Sequence, residues 1–136
     1  MSEFLNRIRT IHARRPYSLS LLESGSLHRD VVWWAAGSQA ELPWAGRHVG
    51  TEGISNFFRL LGAAMTYDVF DVTKYVAAGN DVVAIMTASG TAKATGRPFA
   101  SDIVRIYTFG AGKIVEVRNF YDTAAYRSAM ERPGPA

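Results

Sequence analysis

The apolar pattern of this chain changes period once, and that change fixes the fold class. In the run from Ile54 to Leu61 apolar residues recur at helical spacing; from Tyr67 onward they alternate with polar ones, which is the period of a strand. Four alternating runs follow, over about 67–77, 82–92, 99–109 and 114–121. The links between them carry turn residues: Gly79-Asn80-Asp81, Thr95-Gly96-Arg97-Pro98 and Gly110-Ala111-Gly112-Lys113. Links this short cannot cross over a sheet, so the runs are expected to be successive antiparallel neighbours.

The first half supplies what covers that sheet. Phe4, Ile8 and Ile11 predict a helix over 3–14, and Pro16 stops it, because the residue before a proline is pushed out of helical geometry. A short helix or turn is expected over 17–25, with Ser20 and Glu23 as a capping box and Gly25 ending it. Asp30 to Ala35 reads as a first strand and Gly37 to Gly50 as a loop. A helix then starts near Thr51, whose hydroxyl can cap it, and Ile54, Phe57, Phe58 and Leu61 give it a wide apolar stripe. Asp122 opens a short closing helix with Ala125, Tyr126 and Ala129 on one side. Helices before a meandering sheet signal α+β. A curved sheet wrapped over a long helix leaves a cone with an open mouth, and such hollows are where small ligands bind.

Composition bounds the chemistry. The 136 residues are 48% hydrophobic and 20% charged, which suits one soluble domain, expected over 1–130, with a flexible tail over 131–136. Cysteine is absent, which removes disulfides, thiolate chemistry and Cys-based metal sites, and with only three histidines (His12, His28, His48) no histidine-built metal site is expected. The net charge of +3 comes without any nucleic-acid-reading motif; the Arg7, Arg9, Arg14 and Arg15 cluster reads as a solvated helix face, and no nucleic-acid partner is expected. No apolar run approaches the ~20 residues of a membrane span, and the N-terminus lacks the apolar core of a secretory signal, so no membrane partner and a cytoplasmic location are expected.

Two stretches carry a resemblance: Gly46-Arg47-His48-Val49-Gly50-Thr51-Glu52-Gly53-Ile54-Ser55-Asn56-Phe57-Phe58 and Gly112-Lys113-Ile114-Val115-Glu116-Val117-Arg118-Asn119-Phe120-Tyr121-Asp122. With the element order, they resemble the SnoaL-like branch of the nuclear transport factor 2-like superfamily, which also holds ketosteroid isomerases and limonene epoxide hydrolases. The resemblance runs from about Asp30 to Ala129. It implies a cone-shaped α+β barrel, usually homodimeric, with a hydrophobic pocket and no obligatory cofactor. Where ketosteroid isomerases carry a carboxylate base this chain matches Trp34, and where they carry a protonated acid it matches Arg105, so that route is missing. Limonene epoxide hydrolases share a carboxylate matching Asp122, but the strand over 82–92, which would hold their Arg-x-Asp pair, carries no charge from Val83 to Ala88. SnoaL-type cyclases use an aspartate at the end of the last strand, which Asp122 matches, and often a histidine at the position of Arg105.

The resemblance thus implies a small-molecule enzyme, an isomerase or aldol-type cyclase acting on a hydrophobic carbonyl compound of polyketide- or steroid-like kind. Asp122 would move the proton, Arg105 would hold developing negative charge, and Trp34, Phe58, Ile103, Tyr107 and Tyr121 would shape the pocket. The alternative is a non-catalytic ligand-binding or assembly domain, since two of the three constellations are absent. Asp122 is equally suited to cap the closing helix. Arg105 shares a strand face with Ile103 and Tyr107, and Asp122 or Glu116 could pair with it; a bulge would turn Asp102 inward instead. Trp33 and Trp34 point opposite ways, one into the cavity. His48 reads as a solvated loop residue near the mouth. Val83, Ile85, Val104 and Ile106 on the outer sheet face would need cover, which a homodimer supplies.

Overall fold

Each α-helix begins where a local group can satisfy its first N–H donors or where the backbone turns sharply. In the computed structural model, which describes residues 2–132, Ser2 Oγ accepts the Leu5 N–H and starts α1 (Glu3–Ala13). Pro16 precedes α2 (Tyr17–Glu23). Ser20 forms no capping box: it lies inside α2, where its hydroxyl donates to the Ile11 carbonyl and ties the two helices together. The strand β1 (Leu27–Ala35) follows, beginning three residues before the expected Asp30.

The expected loop Gly37–Gly50 is only partly a loop, because Gly46–Val49 forms β2 along β1, with His48 opposite Trp33. Four residues containing Arg and His carry no strand signal of their own; the pairing with β1 makes the strand. Thr51 does not cap α3 (Gly50–Ala64), since Val49 holds that position without a side-chain bond. Val49 is still paired with Val32 there, and Gly50 turns the chain at φ +73°, a conformation that favours glycine.

β3 (Met65–Ala78), β4 (Asp81–Ala92), β5 (Pro98–Gly110) and β6 (Lys113–Tyr121) are the antiparallel meander read from the alternation, and α4 (Thr123–Met130) closes the chain. The sheet order is β2-β1-β6-β5-β4-β3, so the first strand joins the last, in parallel. Two bulges in β3, at Tyr67/Val69 and Val72/Lys74, curve the sheet. At Gly90 the backbone of β3 presses close on β4: a Cβ there would stand 1.8 Å from the Thr66 carbonyl oxygen.

The concave face holds the core. Val82, Ala84 and Met86 of β4, Phe99, Tyr107 and Phe109 of β5, and Trp33 of β1 are buried in one cluster with Ile54 and Phe57 of α3 and Ile8 of α1; Trp33 packs on Phe57 and Phe109 stacks on Phe4. The pairing of β4 with β5 is unbroken, so Ile103, Arg105 and Tyr107 face inward, while Asp102 lies exposed on the other side. On the convex face Val83, Ile85, Val104 and Ile106 remain partly exposed, and Phe120 is 39% exposed. Of the tail expected over 131–136, Glu131 is the C-cap residue of α4, and residues 133–136 lie outside the described residues. Among the described residues no helix is long and apolar enough to cross a membrane.

Candidate functional site

The apolar stripe of α3 divides between two tasks. Ile54 and Phe57 fill the core, while Phe58 and Leu61 stay partly open and face β3 across a gap. α2 closes the other side with Tyr17. The result is an open cavity of about 570 Å³, walled by Tyr17, Phe58, Leu61, Tyr67 and Phe70, with Arg105 among its lining residues. Deeper in, a chamber of about 20 Å³ lies between Trp44, Phe57, Ile103, Asn119, Tyr121 and Tyr126, and shares Leu61, Tyr67, Phe70 and Arg105 with the outer cavity. A space that small holds about one water, so any ligand sits in the outer cavity and meets Arg105 at the boundary.

Arg105 is 4% exposed, and among the described residues no carboxylate pairs with it. The expected partners lie elsewhere: Glu116 faces the outside and pairs with Arg118 at 3.5 Å, and Asp122 is exposed. The guanidinium is held by neutral groups instead. Its Nε–H donates to Asn119 Oδ1 at 2.5 Å, and an Nη1–H reaches Tyr107 Oη at 3.4 Å. Its carbon lies 5.0 Å from the ring centroids of both Tyr17 and Trp33. Burial alone costs such a cation several kcal/mol, and two aromatic faces at up to ~2 kcal/mol each recover part of that. Burial also works to lower its pKa, but the Tyr107 and Tyr17 oxygens outweigh burial and hold it above the ordinary arginine value. The site therefore keeps a full positive charge with guanidinium donors to spare, next to an apolar space.

Behind Arg105 runs a chain of hydroxyls. Tyr17 Oη is hydrogen-bonded to Tyr107 Oη, and Tyr107 Oη to His12 Nε2 at 2.8 Å. Burial, and then the Arg105 and Arg15 cations, pull the His12 pKa down to about 3, so its imidazole is neutral. Burial, with the neighbouring Tyr107 next in weight, pushes the Tyr17 phenol well up, so Tyr17 keeps its proton. A second cluster is structural. Tyr121 Oη accepts from Trp44 Nε1 at 3.0 Å and donates its proton to the Ala36 carbonyl; burial raises its pKa to about 12.

The candidate residues thus separate. Arg105 and Phe58 line the outer cavity, and Ile103 and Tyr121 only the tight inner chamber; Tyr107 is wholly buried behind Arg105. Trp34 is not in the pocket: strand alternation sends Trp33 inward and Trp34 to the convex face, where it packs edge-on against Phe120. Asp122 does not project into the hollow either. Its Oδ1 accepts the Ala125 N–H at 3.0 Å as the cap of α4, and it borders a separate outer groove with Ser101 and Asp102. His48 is no solvated loop residue but is 7% exposed, with Nε2 bonded to the Trp44 carbonyl oxygen at 2.7 Å.

Tyr17, His12, Tyr67, Phe70 and Asn119 were not singled out as site residues in the sequence. Asn119 could have been, because it alternates with Val117 and Tyr121 on β6 as the one amide among them. Tyr17 and His12 could not, since their place depends on how α1 and α2 dock. Among the described residues no group of three or more His, Asp or Glu side chains is placed to hold a metal ion.

A family model described as a SnoaL-like domain matches residues 24–117. Among solved structures, a Burkholderia thailandensis protein described as NTF2-like is 25% identical and covers 96% of this chain and 99% of its own, with a TM-score of 0.83. TerC, co-crystallised with polyporic acid, is 22% identical over 95% of this chain and 98% of its own, with a TM-score of 0.81. A Mesorhizobium loti protein described as a candidate SnoaL-like polyketide cyclase is 18% identical over 88% and 94%, with a TM-score of 0.66. A search of curated proteins finds no match.

Proposed function

The chain belongs to the SnoaL-like domain family, and from that premise we propose that it takes a small hydrophobic carbonyl compound, of polyketide- or steroid-like character, into the cavity below α2 and α3. Arg105 holds an oxygen of that compound that bears or develops negative charge, and the reaction this serves is an isomerisation or aldol-type closure through an enolate. The observation that carries this reading is a buried guanidinium, paired with no carboxylate among the described residues, at the edge of an apolar cavity. Such a charge is costly until an anion meets it, and charge-assisted hydrogen bonds in a water-poor site are strong. Asp122 leaves the mechanism with its capping role, and Phe58, Tyr67 and Phe70 supply the apolar walls.

A non-catalytic binding domain is the second reading. It is favoured by the lining itself, in which the described residues place no carboxylate and no imidazole. The uncovered convex face, with Val83, Ile85, Val104 and Ile106, supports a homodimer in either case.

Calorimetric titration with 2-naphthol and its methyl ether tests the charge at the site. Charged hydrogen bonds are worth roughly 1.5–3 kcal/mol, so Arg105→Met should weaken 2-naphthol about tenfold or more and leave the ether unchanged. Equal loss for both compounds, or none, removes Arg105 from recognition. Incubation with 2-tetralone in heavy water separates the two readings: deuterium entering beside the carbonyl faster than in buffer supports the enzyme, and ketone recovered unlabelled supports the binder.

A further inference from the structure

A site that stabilises an oxygen anion must also dispose of a proton, and the cavity wall offers few ways out. The lining includes the phenols of Tyr17 and Tyr67. Tyr67 leads only to Tyr126, at 3.0 Å, and neither is bonded to an imidazole or carboxylate. Tyr17 leads to Tyr107 and from there to His12, among the described residues the one neutral base hydrogen-bonded to this network.

We propose that the cavity takes its ligand as a neutral enol or phenol that ionises on binding, the anion staying at Arg105 and the proton passing through Tyr17 and Tyr107 to His12. This rests on the reading of Arg105 given above and names the chemical class of the ligand. The step balances without a co-reactant. The ligand O–H bond breaks and its proton joins Tyr17 Oη; the Tyr17 proton moves to Tyr107 Oη; the Tyr107 proton moves to His12 Nε2. Both phenols end neutral, and the products are a ligand anion and an imidazolium. The hydroxyls must point from Tyr17 to Tyr107 to His12, with the His12 ring proton starting on Nδ1, and the bond partners allow this.

The surroundings of His12 explain why transfer waits for the ligand. Arg9 on α1, Arg15 before α2, Arg105 on β5 and the phenols of Tyr17, Tyr75 and Tyr107 are the charged and titratable groups around it. Burial first, and then the Arg105 and Arg15 cations, keep the imidazole neutral in the empty site. An anion on Arg105 cancels one of those cations. The same event that creates the negative charge therefore makes His12 a better proton acceptor.

The probe is 4-nitrophenol, whose anion absorbs in the visible, at a pH well below its own pKa. Calorimetry in buffers of different ionisation enthalpy counts protons released to solvent. The wild-type chain should show the phenolate band with no net proton released. His12→Gln and Tyr107→Phe should each keep the band and release a full proton per probe bound; the second variant keeps the aromatic ring if the first fails to fold. A full proton released by the wild type, or none by the folded variants, overturns the relay and leaves the Arg105 reading standing. No binding, a bound probe without the phenolate band, or a band that survives Arg105→Met overturns the Arg105 reading itself.

Discussion

Replacing Arg105 by Met asks whether its charge is truly unpaired. Breaking a buried ion pair by removing one partner costs about 3–5 kcal/mol, because the other charge is left stranded. Here the structure gives a different balance. Met loses the 2.5 Å bond to Asn119 and leaves that buried amide oxygen without its donor, which costs about 1–3 kcal/mol. It also loses the contacts with Tyr17 and Trp33, worth up to ~2 kcal/mol each when desolvated. Against these stands the relief of a buried cation, several kcal/mol in the opposite direction. The terms nearly cancel, so Arg105→Met should change unfolding free energy by no more than about 2 kcal/mol in either direction. Urea denaturation followed by tryptophan fluorescence measures it, with the denaturant slope checked for constancy. A loss of about 4 kcal/mol or more would mean that Arg105 has an anionic partner after all, and the argument for a vacant charge would fail.

Other consequences are more local. Asp122→Ala should cost ~1 kcal/mol through the lost cap of α4 and leave 2-naphthol affinity unchanged, which thermal melts and calorimetry together report. His12 holds its pKa near 3 when folded against 6.5 unfolded, so the unfolded chain binds the extra proton and stability falls as pH drops from about 6.5 towards 3. His12→Gln should flatten that slope by about one proton in denaturation curves taken across this window. Gly90→Ala should cost at least ~3 kcal/mol, seen as a collapse of the melting temperature, because its Cβ would overlap the Thr66 carbonyl. Ile106→Glu on the convex face should convert dimers to monomers in sedimentation; a monomeric wild type at working concentration would remove the homodimer from the account.

Much of the architecture was legible because it rests on period alone. The alternation in 82–92 and 99–109 marked the strands and grouped Ile103, Arg105 and Tyr107 on one face, but which face turns inward was open until the packing decided it. What failed to show was whatever depends on a partner distant in sequence. β2 exists because β1 pairs with it, and the parallel joining of β1 to β6 leaves no trace in either run. Trp34 and Trp33 were assigned opposite faces correctly, but nothing local to their strand says which face is concave. Asp122 illustrates a different limit. The same residue type serves as cap and as proton carrier, and only the exposure of its carboxylate and its bond to Ala125 separate the two. Tyr17 and His12 lie roughly ninety residues from Tyr107, so no spacing rule could have joined them.

The most direct measurement is a crystal structure of the chain soaked with 4-nitrophenol. The account predicts the phenol oxygen within hydrogen-bond distance of the Arg105 guanidinium and the Tyr17 hydroxyl, with the ring between Phe58 and Phe70. A probe seated in the outer groove beside Asp122, or one turned so that its oxygen faces away from Arg105, would contradict it.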